Sequence, residues 1–370
     1  MPQGILHFSN EPFFDLRRPA RKKFNMKSTH FFGLIFTICI SIYLILYFYV
    51  LPTEVVIDEQ YAQVVAEELL LQKKGLAESM ITQECSDVTH GCYIVVDRKM
   101  ELESGQIVER HMQMKGTEED SETIVRLIPQ EGKTFENSDT RMWRVDHLAI
   151  RAQYVAALVS APYIVSTLSL VDSDNDGKSI LVIGLGGGSL DMFLHQLNPK
   201  MNITVVELDP VVVRLARKWF HVEENNTRRT VTEDGLKFIE DAKKKGVKYD
   251  AVFVDACDNK KKIPCPAEPF QKTEVYQSLS AIIKDTGSLI VNVLSYEDIA
   301  VEVTELVEEI SQHFGSCIKV SVTEEMNVIA ICTKQAIADS TANTDFLKRR
   351  AVAVTMQLGL QDVLKTIKMN

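Results

Sequence analysis

Two acids three residues apart, Asp255 and Asp258, close the segment Tyr249-Asp-Ala-Val-Phe-Val-Asp-Ala-Cys-Asp258. The apolar run before Asp255 reads as a buried strand, and in open α/β sheets ligands lie beyond the carboxyl ends of strands. A carboxylate there can orient an attacking amine or take its proton. The same two acids could also simply end a strand and open a loop. A second chemical feature precedes them. Ile180-Leu-Val-Ile-Gly-Leu-Gly-Gly-Gly-Ser-Leu190 is an apolar strand that runs into a glycine-rich turn, and Ile203-Thr-Val-Val-Glu-Leu-Asp-Pro210 is an apolar strand that ends in an acid. Gly184, Gly186, Gly187 and Gly188 let the backbone turn sharply and let a ligand approach main-chain N–H groups. Glu207 stands where a carboxylate can bond both hydroxyls of a ribose. Asp234-Gly235 follows a third strand, where Asp234 could accept from an adenine amino group, cap a helix, or do both.

The turn is not a phosphate-binding loop, because no Gly-Lys-Ser/Thr follows. It also departs from the nicotinamide-cofactor fingerprint, whose third glycine would fall at Ser189. The histidines do not pair at ligand spacing and there is no Cys-x-x-Cys, so no metal site is expected. A net charge of −10 argues against a general nucleic-acid binder.

Strands are expected at 179–184, 203–207, 229–232, 250–254, 287–293, 317–322 and 327–332. Helices are expected at 188–197, 210–219, 234–245, 270–284 and 297–314. This alternation describes an α/β, Rossmann-like, doubly wound seven-stranded sheet that ends in an antiparallel hairpin. Short strands at 93–97, 110–114 and 123–129 form a small β element ahead of it, and 146–170 reads as a helix.

The run Phe31 to Leu51 holds no charged residue. It is long enough to cross a bilayer core of about 30 Å. A buried core helix or a cleaved signal peptide are the alternatives. Arg17, Arg18, Arg21, Lys22, Lys23 and Lys27 precede the run, while Glu54, Asp58 and Glu59 follow it. The positive-inside bias then puts the N-terminus in the cytosol and the remainder in the lumen of the endoplasmic reticulum or Golgi. A cytosolic catalytic part, with the basic stretch as a targeting or lipid-binding patch, is the other reading. The expected organisation is a basic tail (1–30), a transmembrane helix (31–51), a stem (52–84), the β element (85–145), the main domain (146–335) and a C-terminal tail helix (336–370).

Outside the span stand six cysteines: Cys85, Cys92, Cys257, Cys265, Cys317 and Cys332. They are either free core thiols or three bridges in an oxidising compartment. One pair has a geometric argument. Cys317 and Cys332 are equidistant from a turn near Glu324, so a hairpin would set them opposite each other. Sequons begin at Asn202 and Asn225. Asn202 opens an expected core strand and is the poorer acceptor, whereas Asn225 reads as an exposed loop.

Taken together, Leu181–Leu190, Val206–Pro210, Glu233–Gly235 and Tyr249–Asp258 resemble the spermidine-synthase-like class I methyltransferases, in particular the C-terminal domain of methyltransferase-like protein 13. Arg144-Val-Asp-His147 with Gln153-Tyr154 resembles that domain's pre-catalytic helix, and Cys265–Phe270 resembles its substrate loop. The likeness covers about residues 90–335. It implies S-adenosylmethionine at Gly184–Gly188, with Glu207 on the ribose, Asp234 near the adenine and Asp255 facing the transferred group. It also implies a homodimer through the β element; the acceptor does not carry over from the likeness, and a protein or small-molecule amine is the expectation. Aminopropyltransferases of the family carry an acid where this chain has Gly187. A glycine there avoids repelling the carboxylate of intact S-adenosylmethionine. The expectation is a membrane-anchored methyltransferase; an aminopropyltransferase and a catalytically silent membrane scaffold are the rivals.

Overall fold

The computed structural model describes residues 78–102, 105–116, 121–258, 262–295, 300–322, 325–338, 340–364 and 367–369. Two sheets organise them. Five antiparallel strands come first: β1 (Glu78–Cys85), β2 (Cys92–Leu102), β3 (Gly105–Met114), β4 (Ser121–Ile128) and β5 (Arg144–Ile150), paired in that order. The main sheet contains β6 (Ser179–Ile183), β7 (Asn202–Glu207), β8 (Arg228–Thr232), β9 (Tyr249–Val254), β10 (Ile283–Leu294), β11 (Ser316–Val322), β12 (Asn327–Thr333) and β13 (Ile367–Met369). Its order is β13-β11-β12-β10-β9-β6-β7-β8. Strands β10, β9, β6, β7 and β8 run parallel, and β12 is antiparallel to its neighbours β10 and β11. The chain winds outward from β6 in one direction through β7 and β8 and in the other through β9 and β10. The strand order therefore reverses beside β6, which is where such sheets open a crevice.

The helices are α1 (Gln153–Ile164), α2 (Ser189–Leu197), α3 (Pro210–Trp219), α4 (Gly235–Lys244), α5 (Thr273–Ala281), α6 (Ala300–Ser311) and α7 (Thr341–Gln357). The inner parallel strands β6, β7 and β9 lie between helical layers and are largely buried on both faces, and every residue of β9 is buried, whereas the edge strand β8 is polar and only partly buried. Alternate residues of β6 feed opposite cores: Ile180 and Val182 pack in one cluster, Leu181 and Ile183 in the other. Helix starts follow local chemistry. Asp209 caps α3 by accepting from the Val211 N–H at 2.8 Å, with Pro210 at the first helical position, and Asp234 caps α4 through the Leu236 N–H at 2.8 Å.

The alternation of the main domain is as expected, and four points differ. The sheet has eight strands, because β13 adds to the exposed edge of β11 through antiparallel pairing at Val320–Val322. The tail that begins as α7 therefore returns to the sheet instead of ending as a helix. The stretch 144–150 is strand β5 and not the start of a helix; its alternating burial is the two-residue period of a half-covered sheet, and α1 begins only at Gln153. Arg144–His147 thus lies on a strand that precedes the helix carrying Gln153 and Tyr154. Finally, β1 extends the small sheet back to Glu78.

Among the described residues no helix is long and apolar enough to cross a membrane; the run Phe31–Leu51 lies outside them, as do the basic tail and most of the stem. All six cysteines named above are bridged: Cys85–Cys92, Cys257–Cys265 and Cys317–Cys332. The third is the cross-strand pair anticipated from the hairpin, and its two residues are register partners. Asn225 is exposed, as expected; Asn202 is exposed too, because it is the first residue of β7 and stands clear of the core.

The small sheet is riveted to the main domain by buried polar contacts. On β3, Arg110 forms an ion pair with Asp97 of β2 at 2.7 Å with both side chains fully buried, and it also donates to the carbonyl oxygens of Trp219 and Thr140. Tyr93 and Thr89 donate to Asp209, the cap of α3. Arg151 and His111 meet Glu109.

Candidate active site

The crevice is built where the parallel strands stop. Backbone bonds carry the sheet one residue past each strand end: the Gly184 N–H donates to the Val206 carbonyl at 2.9 Å, and the Asp255 N–H to the Ile183 carbonyl at 2.9 Å. The glycine turn, Glu207 and Asp255 therefore emerge side by side from β6, β7 and β9. Gly184 has a φ of +99°, and a Cβ on it would stand 2.3 Å from the Asp255 carbonyl oxygen. Only glycine permits the two loops to touch here. Gly188, at φ +78°, opens α2, so the N-terminus of that helix follows directly on the turn.

Glu207 ends β7 with its two carboxylate oxygens already ordered. One accepts from the Leu185 N–H at 2.9 Å and the other from the Asp209 N–H at 2.9 Å. Burial pushes its carboxyl above the ordinary range, opposed by those same backbone bonds. Each carboxylate oxygen has a second lone pair, so the group can hold two further hydroxyl donors. Asp234 ends the next strand connection with an exposed side chain, while Gly235 behind it is buried and would bring a Cβ to 2.8 Å from Ile183 and 3.0 Å from Phe270. These residues fit a nucleoside whose ribose lies at β7 and whose base lies toward α4.

Gly187 has a different surrounding from Gly184, Gly186 and Gly188. Its N–H donates to the Thr123 hydroxyl of β4 at 2.7 Å. A Cβ there would lie 2.6 Å from Thr123 Cγ2 and 2.7 Å from Phe220. The small sheet thus closes over this position, and Gly187 shapes the turn by lacking a side chain, its amide being engaged within the protein.

Asp255 and Asp258 are half-buried at the far side of the crevice. Asn292 of β10 donates from Nδ2 to Asp255 Oδ1 at 2.8 Å. The Asp258 N–H donates to the Pro264 carbonyl at 2.6 Å, and the Cys257–Cys265 bridge ties the same loop across its base. Ala267 N–H to the Ala256 carbonyl and Gln271 to the Pro266 carbonyl hold the returning strand of chain. No cluster of histidine, cysteine or acidic residues able to hold a metal ion occurs among the described residues.

The structure brings all the sequence-selected site residues to this one end of the sheet. Sequence reasoning missed Thr123, Asn292 and Asn327. A lone threonine in a polar strand carries no signal, but the asparagine inside the apolar run of β10 and the one that opens β12 could have been noticed.

Comparison with known proteins agrees with this geometry. Residues 165–345 match the spermine/spermidine synthase domain. A probable spermidine synthase from Corynebacterium glutamicum superposes over 76% of this chain and 93% of its own, with a TM-score of 0.51 at 14% identity, which establishes the fold. The chain carries a spermidine-synthase-like domain of the class I methyltransferase fold. Among curated proteins, this chain is 28% identical over 214 residues to an eEF1A lysine and N-terminal methyltransferase homolog of Drosophila melanogaster, covering 57% of this chain and 30% of that protein. It is 34% identical over 134 residues to a polyamine aminopropyltransferase of Vibrio vulnificus, covering 36% of this chain and 44% of that one. The chain spans less than a third of the length of the first of these relatives.

Proposed function

We propose that this protein transfers a methyl group from S-adenosylmethionine to an amine, most simply a lysine or N-terminal amine of a protein. The fold and the similarity to an eEF1A lysine and N-terminal methyltransferase homolog support the class. The observation that carries methyl transfer over aminopropyl transfer is the closed position 187. The acid that aminopropyltransferases present there has no room beside Thr123 and Phe220. The absence of that charge leaves the turn compatible with the carboxylate of the intact cofactor.

In this reading Gly184–Gly188 and the start of α2 hold the methionine part, Glu207 the ribose, and Asp234 with Gly235 the adenine. When bound, S-adenosylmethionine supplies a methyl carbon activated by a sulfonium; as the acceptor nitrogen bonds to it, the carbon–sulfur pair returns to sulfur. The protein has two remaining tasks, to aim the amine and to receive its proton. Asp255 serves both. Its neighbour Asp258 adds negative charge that attracts a cationic side chain to the mouth of the crevice.

Anchoring by Phe31–Leu51, with the N-terminus cytosolic and the domain luminal, belongs to the same proposal, as does pairing of two copies through the small sheet. The bridging of all six cysteines and the exposure of both sequons support the luminal orientation.

Isothermal titration of the full chain with S-adenosylmethionine and with its decarboxylated form tests the reading. Tighter binding of the intact cofactor, lost in Glu207→Ala, is expected. Preference for the decarboxylated form would move the protein to polyamine synthesis, and a folded sample that binds neither would leave a scaffold.

A further inference from the structure

Strands β10 and β12 are apolar where they cross the sheet, with Val291, Val293, Ile329 and Ala330 all buried. Asn292 interrupts β10, and Asn327 opens β12. Asn292 is 2% exposed and Asn327 is 4% exposed. Strand interiors disfavour asparagine, and a buried amide costs free energy unless it is hydrogen-bonded. The sheet does not need these side chains, because its ladder is made by the backbone. Their placement is specific. Val291 pairs with Val254, the last residue of β9, so Asn292 stands one step further, level with Asp255. Asn292 is opposite Ile329 across the antiparallel pair, and Asn327 lies two residues from Ile329, on the same face and diagonal to Asn292.

The contacts form a chain with one polarity. Asn327 donates from Nδ2 to Asn292 Oδ1 at 2.8 Å, and Asn292 donates from Nδ2 to Asp255 Oδ1 at 2.8 Å. An ionised carboxylate only accepts, so Asp255 requires a donor. Asn292 can turn its NH2 to Asp255 only if its own oxygen finds a donor on the other side, and Asn327 is that donor. Without Asn327 the Asn292 amide would be free to present its oxygen, which repels the carboxylate.

We infer that Asn292 and Asn327 are positioning residues for Asp255: the two buried amides orient the carboxylate toward the acceptor amine. This rests on the proposed methyl transfer, in which the nitrogen–carbon bond forms, the carbon–sulfur bond breaks onto sulfur, and the proton released from nitrogen passes to Asp255. A hydrogen bond to a charged group is strong enough that its loss should cost about 10- to 100-fold in rate.

The test uses the full chain, labelled S-adenosylmethionine, and a pool of synthetic peptides with free N-termini and lysines as acceptor. Asn292→Leu and Asn327→Leu should each lower kcat at least about tenfold, with the Kd for S-adenosylmethionine within about twofold of wild type. The double variant should be no slower than the worse single one, because both act through one group. On an Asp255→Asn background neither should have a further effect. Unchanged kcat in either single variant, or a loss of cofactor affinity that matches the loss of rate, would overturn the inference. A second measurement does not depend on activity or on whether the leucine variants fold. In protein labelled with 15N-asparagine, hydrogen exchange of the Asn292 side-chain amide should be slow and should speed up at least about tenfold in Asp255→Ala. Unchanged exchange would overturn the chain itself. Faster exchange in a protein that methylates no peptide would uphold the positioning of Asp255 and refute the methyl-transfer reading alone.

Discussion

Replacing Gly187 by alanine tests the closed position on which the choice of cofactor rests. The new Cβ would be placed 2.6 Å from Thr123 Cγ2 and 2.7 Å from Phe220 Cδ1. Carbon atoms rest at roughly 3.5–4.0 Å, so two contacts are short by about 1 Å. Gly187 is not in the left-handed region, so the cost is steric and not conformational. Overpacking of this kind costs about 1–3 kcal/mol. Displacing Thr123 also endangers its bond to the Gly187 N–H, worth about 1 kcal/mol. The sum, about 2–4 kcal/mol, corresponds to a fall in Tm of about 4–16 °C for a domain of this size. Thr123→Ser removes the methyl carbon that sits nearest and keeps the hydroxyl that accepts from Gly187, so the double variant should recover part of the loss in a thermal melt. Gly187→Asp should lose more stability than Gly187→Ala and should not gain affinity for decarboxylated S-adenosylmethionine. A Gly187→Ala protein that melts within 2 °C of wild type, a cost of no more than about 0.5–1 kcal/mol, would refute the packing argument. A stable Gly187→Asp protein that binds the decarboxylated cofactor would refute the use made of it.

Asp97→Ala leaves the Arg110 guanidinium buried without its partner and should cost about 3–5 kcal/mol in denaturant unfolding, with the small sheet loosening from α3 first in hydrogen exchange. Burial pushes the Glu109 carboxyl up, but His111 and Arg151 together outweigh it and hold it below the ordinary range. Because the folded-state value is the lower one, this contact contributes stability above the unfolded carboxyl value of about 4.3 and loses it as pH falls below that; the acid limb of a denaturation profile should flatten in Glu109→Gln. Replacing Cys317 and Cys332 by serine opens a loop of sequence separation 15 and should cost about 3 kcal/mol in the unfolding free energy. If the domain is luminal, the full chain made in a eukaryotic secretory system should lose mass on treatment with peptide-N-glycosidase, by one step fewer in Asn225→Gln; an unglycosylated product in both sequons would place the domain in the cytosol.

The parallel sheet was legible because its inner strands are buried on both faces and its turns carry glycine and aspartate at fixed places. The run before Asp255, the acid after β7 and the cap at Asp234 each mark a boundary by their own chemistry, and these boundaries fall within a residue or two of the observed ones. The small sheet was less legible. Its strands alternate and its residues 144–150 offer four apolar positions, Val145, Leu148, Ala149 and Ile150, that a helical period also accommodates. What decides for a strand is pairing with β4, a contact with residues some twenty positions away, which no local pattern contains. β13 was invisible for the same reason, being a short segment recruited by the free edge of β11. The site divides along the same line. Gly184, Glu207 and Asp255 announce themselves through local sequence, since each ends a strand or directly follows one. Thr123, Asn292 and Asn327 act on those residues across 64, 37 and 35 positions, by a hydroxyl on Gly187, an amide on Asp255 and an amide on that amide. A hydrogen-bonding side chain has meaning only with its partner, and the partner is set by register. The ligand-facing residues could therefore be named in advance, whereas the residues that aim them are defined by the strands β4, β10 and β12 coming to rest beside β6 and β9.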